Sequence, residues 1–406
     1  MPATSRPSSR PVAEASVTPP ARATAVRVGS ETSPTITVWA SLPEVQTDLL
    51  GQDIELFQEQ FPQYQVRLQH YDRPEDFITS LVAGQINFDI VLASPVLLGS
   101  LRRAGQISPM SDFFPASFID DFEAVTLLGA TKNGAVWGLP DSSGFHLLLF
   151  YNQDLVDSPP TSTDELTELA EQLTVGSQWG LGVNSYDPLW LLPWLVAPGD
   201  WLSEAGGRTT LNKSSMAAAI TLFHSWQDPE DAIAPVGTYE EIRARFLDGK
   251  LAMMIDGEWT IDELANSDKI RWGVSLLPGV GQASDDQPAA PLVLSKYWAI
   301  SRSATGTHAQ ASATFLDFIS QPERQLAWTD QFGLLPTRRE ALEDPLIAAD
   351  SILRTSATQM RAGRTIPLGI NANLVLDAMR EPLRGVIDGE LTPAEAVDLM
   401  QANLQQ

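Results

Sequence analysis

From Ile36 onward the apolar positions alternate between two periods. Ile36-Thr37-Val38-Trp39 is a short β-rich run, after which Leu50, Ile54, Phe57 and Phe61 recur at helical spacing and give one apolar face. Pro62 marks the end of that helix. Val66 and Leu68 alternate with polar residues as in a strand, and Pro74 opens a second helix whose buried face holds Phe77, Ile78, Leu81 and Val82. Phe88 to Leu92 reads as a third strand, apolar enough to be central, and Leu97 to Ala104 as a helix ended by Gly105. This order predicts a parallel sheet with helices on both faces. Ligands bind beyond the carboxyl ends of such strands, here Ala40 to Pro43 and Ala93 to Val96.

A second α/β region follows. Leu147 to Tyr151, Trp179 to Val183, Leu251 to Ile255 and Tyr297 to Ser301 read as strands. Thr163 to Leu173, Met216 to Trp226, Tyr239 to Leu247, Ala309 to Ile319, Leu374 to Val386 and Pro393 to Leu404 read as helices. In the first of these helices Asp164 and Glu165 complement the N-terminal dipole.

Residues 1–34 carry no apolar period. They are rich in Pro, Ser, Thr, Ala and Arg, with Glu14 and Glu31 as the only acids, and cannot bury enough surface to offset ordering entropy. No apolar core follows the arginines, so a signal peptide is disfavoured, while an organelle transit peptide stays open. The favoured expectation is a flexible, disordered tether that holds a globular body near a membrane after removal of a signal and a lipid-anchoring cysteine.

The 406 residues suffice for two domains, and the formal net charge of −25 disfavours nucleic acid and anionic membrane surfaces as partners. With no cysteine, thiol catalysis, disulfides and thiolate metal sites are excluded. No HExxH, P-loop, GxGxxG or GxSxG is present, and His70, His146, His224 and His308 lie far apart in sequence. No metal or cofactor is expected. Among the many acids nothing singles out a glycosidase pair, so a carbohydrate-active enzyme is the weaker alternative. Asn212-Lys213-Ser214 fits a glycosylation triplet that is common by chance.

Several landmarks occur in one order: Ile36 to Trp39, Phe88-Asp89-Ile90-Val91, Gly138-Leu139-Pro140, Phe150-Tyr151-Asn152-Gln153-Asp154-Leu155, Pro159-Pro160-Thr161, Phe246 to Met253, Asp256-Gly257-Glu258-Trp259, Trp272-Gly273-Val274 to Pro278, Trp298 to Ser301, and Gly333 to Arg338. As a set they resemble the family 1 extracellular solute-binding proteins, the group that contains maltose-binding protein. The resemblance spans about Ile36 to Leu404. It implies a two-lobed periplasmic-binding-protein fold of type II, each lobe a mostly parallel sheet flanked by helices. The implied N-terminal lobe is 36–143 plus 296–336 and the C-terminal lobe 144–295 plus 337–406, with hinge crossings near Ser143, Ser295 and Arg338. It further implies an extracytoplasmic, monomeric component of an ABC importer that delivers a sugar to permease subunits. A sugar-sensing receptor without a transport role is an alternative, and polyols or glycerol-phosphate diesters are alternative ligands.

Sugars need aromatic rings for their apolar faces and polar side chains for their hydroxyls. By resemblance, Trp259 matches the tryptophan that stacks on ligand, with Glu258 beside it. Tyr186, Asp187 and Trp190 fall where relatives place an acidic and an aromatic residue; the alternative for Asp187 is a turn residue before proline, and for Trp190 a core residue. Ser41 and Glu44 follow the first strand and Ser94 the third. Asp141, Ser143 and Phe145 lie at the first crossing, and Ser295 and Tyr297 at the second. Arg380 matches an arginine at the cleft rim, with Asn373 on the loop before it; the alternative for Arg380 is a pairing with Glu381 or Asp377 on a solvated helix face. The chain departs from maltose-binding protein at Leu42-Pro43 and at Ala93, Val96 and Leu97, which stand where that protein holds sugar-binding residues. The implied ligand is therefore not maltose, or is held differently.

Overall fold

The computed structural model describes residues 34–195, 201–205, 208–228, 230–281 and 289–405. The segment read as a tether lies outside these residues except for Pro34. The strands that build the two main sheets are β1 (Thr35–Ala40), β2 (Gln65–His70), β3 (Ile90–Ala93), β4 (Leu139–Gly144), β5 (Leu147–Asn152), β6 (Trp179–Gly182), β7 (Leu251–Gly257), β8 (Trp272–Ser275), β9 (Leu294–Ile300) and β10 (Leu335–Pro336). One sheet runs β10-β4-β9-β3-β1-β2, the other β8-β5-β7-β6.

The strands and helices arise where the apolar periods place them. In β1 alternate residues Ile36, Val38 and Ala40 are buried, whereas all four residues of β3 are, as its central place requires. Helix α1 (Glu44–Gln60) buries Leu50, Ile54 and Phe57, and α2 (Pro74–Val82) starts on its proline. Helix α3 (Pro95–Arg103) ends near Gly105, whose φ of 66° a side chain would strain. Helix α4 (Thr163–Leu173) is capped by Ser162, whose hydroxyl accepts from the Glu165 N–H.

One expectation is corrected: the sheets are mixed, not mostly parallel. β1 is parallel to β2 and β3, but β9 is antiparallel to both β3 and β4, and β10 is antiparallel to β4. In the second sheet β5 is antiparallel to β7 and β8, and only β6 and β7 run parallel. The apolar pattern of a strand sets its burial but not its direction. β4 and β9 carry the chain between sheets, and an antiparallel neighbour needs no crossover helix.

The sheets are joined at one place. β4 ends at Gly144 and β5 starts at Leu147, so only Phe145 and His146 separate them. Beside this crossing, Leu294 and Ser295 of β9 pair with Gly144 and Ser143, and β10 pairs with Ser143 and Ser142. Each sheet has its own apolar core. Ile36, Phe57, Trp298 and Phe315 belong to the first lobe, while Leu149, Trp194, Phe223 and Trp226 belong to the second. Each large buried side chain contributes about 1.5–3 kcal/mol by leaving water. The strap 366–370 serves both: Ile366 and Ile370 pack in the second-lobe core, and Leu368 packs with Leu97, Leu98 and Leu101 of the first.

Candidate functional site

Strand β7 is buried along its whole length and delivers Trp259 just beyond its end. The Trp259 indole is 37% exposed, and its N–H donates to the Tyr239 hydroxyl at 2.7 Å. Tyr239 is the first residue of helix α5 (Tyr239–Leu247), which Thr238 and Glu241 open with a reciprocal capping box. Phe145, 41% exposed, lies 5.1 Å from the Trp259 ring at 35°. Trp190 backs the pair edge-on at 6.4 Å and 81°. It is buried, and its N–H donates to the Ile255 carbonyl at 2.7 Å. The result is an aromatic wall whose outer rings are open and whose inner ring is fixed.

The crossing beneath this wall is unusual. Phe145 has φ of 60°, a left-handed conformation that costs a non-glycine residue about 1–2 kcal/mol. The Glu258 carboxylate accepts from the Phe145 N–H at 2.7 Å and the His146 N–H at 3.0 Å. Burial pushes this carboxyl up to about 7 despite those hydrogen bonds. The next acid, Asp256, is pushed by burial up to about 6; it accepts from the Gly257 N–H and the Thr260 hydroxyl, both at 2.8 Å. Arg243 faces Asp256 at 3.6 Å, pairs with Glu263, and lies 5.0 Å over the Tyr239 ring. The fully buried His146 ring meets the Ser356 hydroxyl at 2.9 Å, and burial lowers its pKa to about 4.

On the second lobe a polar group lies along helix α6 (Ala372–Ile387). Asp187 accepts from the Leu189 N–H at 2.9 Å, and its other carboxylate oxygen is 3.9 Å from Arg380, which is 3.6 Å from Asp377. Arg380 thus answers Asp187 and Asp377, not Glu381. Tyr186 donates to Asp388 at 3.4 Å, with Arg384 5.1 Å over its ring. Asn373 is exposed, its N–H held by the Asn371 side chain at 3.0 Å.

The first-lobe wall is sparer. Half-buried Ser41 and exposed Glu44 follow β1, and Ser94 follows β3, where its hydroxyl accepts from the Leu97 N–H and caps α3. Helix α3 meets the second lobe. Pro95, Val96, Gly99 and Arg103 line a gap of about 160 Å³ with Gly369, Ile370 and Asn371. Arg103 donates to the Gly369 carbonyl at 2.9 Å, and Lys132 of the first lobe pairs with Glu204 of the second at 2.7 Å.

Several expected site residues are turned elsewhere. Tyr297 is 1% exposed and donates to the Thr126 carbonyl at 3.0 Å, so it is a core residue. Trp190 is the fixed backing of the wall and not its face. Glu258 gives both oxygens to backbone. Ser143 and Ser295 are buried and share a hydrogen bond of 3.2 Å. Asp141 accepts from the Trp298 indole at 2.6 Å and lines a separate gap with Gln325 and Trp328. The sequence reading missed Tyr239 and Arg243, for which the capping box at Thr238 was the available local signal. Among the described residues no cluster of acids and histidines could hold a metal ion, and no helix is long and apolar enough to cross a membrane.

A family profile described as bacterial extracellular solute-binding protein matches residues 54–355. The maltooligosaccharide ABC transporter solute-binding lipoprotein of Streptococcus pneumoniae is 23% identical over 338 residues, 78% of this chain and 77% of the relative. The maltose/maltodextrin-binding domain from Bdellovibrio bacteriovorus, bound to maltotriose, matches with a TM-score of 0.68 at 23% identity, covering 92% of this chain and 99% of that one. The cyclic α-maltosyl-1,6-maltose binding protein from Arthrobacter globiformis matches with a TM-score of 0.79 at 17% identity, covering 91% and 98%. The fold is the type II periplasmic-binding fold of these neighbours.

Proposed function

This chain belongs to the family of bacterial extracellular solute-binding proteins, and from that premise we propose that it captures a carbohydrate between its lobes and delivers it to the permease subunits of an ABC importer. The observation that carries the reading is the aromatic wall. Trp259 and Phe145 present open rings over a fixed base of Trp190 and Tyr239. An indole face covers the apolar side of a pyranose, while Asp187 and Arg380 supply a charged pair for hydroxyls. The sugar named for the Streptococcus relative, a maltooligosaccharide, is the first to test. Where the resemblance places first-lobe ligand contacts, Ala93 and Leu97 are buried in the core and Val96 is apolar, which favours a ligand held chiefly by the second lobe.

In this reading the lobes are 36–143 with 296–336 and 144–295 with 337–406, swinging about the three adjacent crossings. A ligand that touches both walls binds the closed form better and shifts the population toward it. The chain acts as a monomer outside the cytoplasm, tethered by residues 1–34 to a lipid anchor, and turns over no substrate. A thermal-shift screen over mono- and oligosaccharides tests the reading, since a bound ligand raises apparent stability by mass action. A saturable upward shift that Trp259→Ala abolishes is expected. No shift with any sugar, or an undiminished shift in the variant, overturns it.

A further inference from the structure

We infer that Glu258 is a positioning residue: its carboxylate clamps the strained crossing at Phe145 and so sets the aromatic wall against which ligand packs. The geometry is specific. Two successive N–H groups, of Phe145 and His146, converge on one carboxylate at 2.7 and 3.0 Å, the arrangement of an anion-binding backbone nest. Phe145 sits at φ of 60°, which only surrounding contacts can hold. The clamp also fits tightly at Gly144, where a Cβ would fall 2.7 Å from the Glu258 carboxylate. With the turn held this way, the Phe145 ring reaches Trp259, the residue next to Glu258 in the chain. One side chain thus ties a lobe crossing to the wall across 113 positions of sequence.

The clamp is a carboxylate, so it responds to protons. Both oxygens accept when it is ionised; a protonated carboxyl turns one oxygen into a donor that faces an N–H. Its burial places the change near neutrality. The titratable groups around it are Asp256 on β7, His146 in the crossing between β4 and β5 with its ring turned to Ser356, and, from α5, Arg243 and Tyr239, which face Asp256 and Trp259. Only Asp256 adds like charge to it.

The test labels the chain with 5-fluorotryptophan and assigns the Trp259 fluorine signal by its loss in Trp259→Phe. In the native chain this signal should move with a midpoint near 7; in Glu258→Gln that step should vanish, leaving only the movement that follows the Asp256 carboxyl near 6. A Trp259 signal that is flat in the native chain, or that moves equally in Glu258→Gln, overturns the inference. The native titration decides even if the variant folds poorly. The binding arm uses maltotriose and rests on the carbohydrate reading. Glu258→Gln should bind about tenfold more weakly than the native chain at pH 8, the scale of one charge-assisted hydrogen bond. The native chain should fall to the variant's affinity at the acid end. Equal affinities at pH 8 count against the clamp. A native chain blind to maltotriose but with the fluorine titration intact counts against that sugar and leaves the clamp standing.

Discussion

Gly257→Ala isolates the packing of the aromatic wall from every backbone effect. Gly257 has φ of −80° and ψ of 159°, a conformation open to any residue, so alanine strains nothing in the chain itself. The added methyl would overlap three atoms of the Trp259 ring. The indole has to swing, which breaks its 2.7 Å bond to Tyr239 and its contact with Phe145. A neutral hydrogen bond contributes about 1 kcal/mol and an aromatic pair about 0.5–1.5 kcal/mol, so the wall loses about 2 kcal/mol. If ligand binding requires the native wall, affinity falls about thirtyfold. Titration calorimetry with the best sugar from the screen measures that loss, and near-ultraviolet circular dichroism reports the ring movement. Gly51→Ala is the control, because its methyl meets nothing within 4 Å and it lies within α1, where alanine is favoured. Native affinity and an unchanged aromatic spectrum in Gly257→Ala would refute the reasoning.

Further outcomes follow from buried groups. Asp53, 1% exposed, accepts from the Arg324 guanidinium and the Trp328 indole, each at 3.2 Å; Asp53→Ala should cost about 3 kcal/mol in urea unfolding by leaving both donors unanswered, and Asp53→Asn less. Folding raises the pKa of Asp256 to about 6 and of Glu258 to about 7, so each contributes stability that is full below its unfolded pKa and lost as pH rises through those values. His146, lowered to about 4, contributes stability that is present above about 6.5 and lost as pH falls. Two carboxyls against one imidazole make the protein more stable near pH 5 than near pH 8, by about 3 kcal/mol for the uncompensated carboxyl, which thermal melts across that range check. Leu368→Ala empties the buried place between the strap and Leu97, Leu98 and Leu101; it should cost about 2–3 kcal/mol in urea unfolding.

The reach of the sequence differs from feature to feature. Helix α4 was legible to its last residue, because its helical spacing and the acids of its first turn are local. The third strand was placed from Phe88, yet pairing starts only at Ile90; Phe88 is 3% exposed, so burial without pairing misled the pattern. Strand direction was not legible, since β9 finds β3 across some 200 positions and nothing in its composition says which way it runs. The site divided in the same way. Trp259 was found from its motif, and Asp187 and Arg380 were named separately though their partnership is long-range. Tyr297 was misplaced because alternation separates the two sides of a strand without saying which one faces ligand. Glu258 was named only as the neighbour of Trp259, since its partners lie more than a hundred residues earlier, and only the fold reveals that they are amides.

The chain passes between lobes on strands that are neighbours in one sheet, β10, β4 and β9, laced at Ser142, Ser143 and Gly144. Such a ribbon bends across its width far more readily than it shears, because sliding would break every rung at once while flexing leaves them whole. If the lobes swing as proposed, this ribbon allows them one cheap motion, a page turning on its spine, while the backbone itself resists sideways drift. On that reading a guest of any size would meet the same two covers arriving along the same arc.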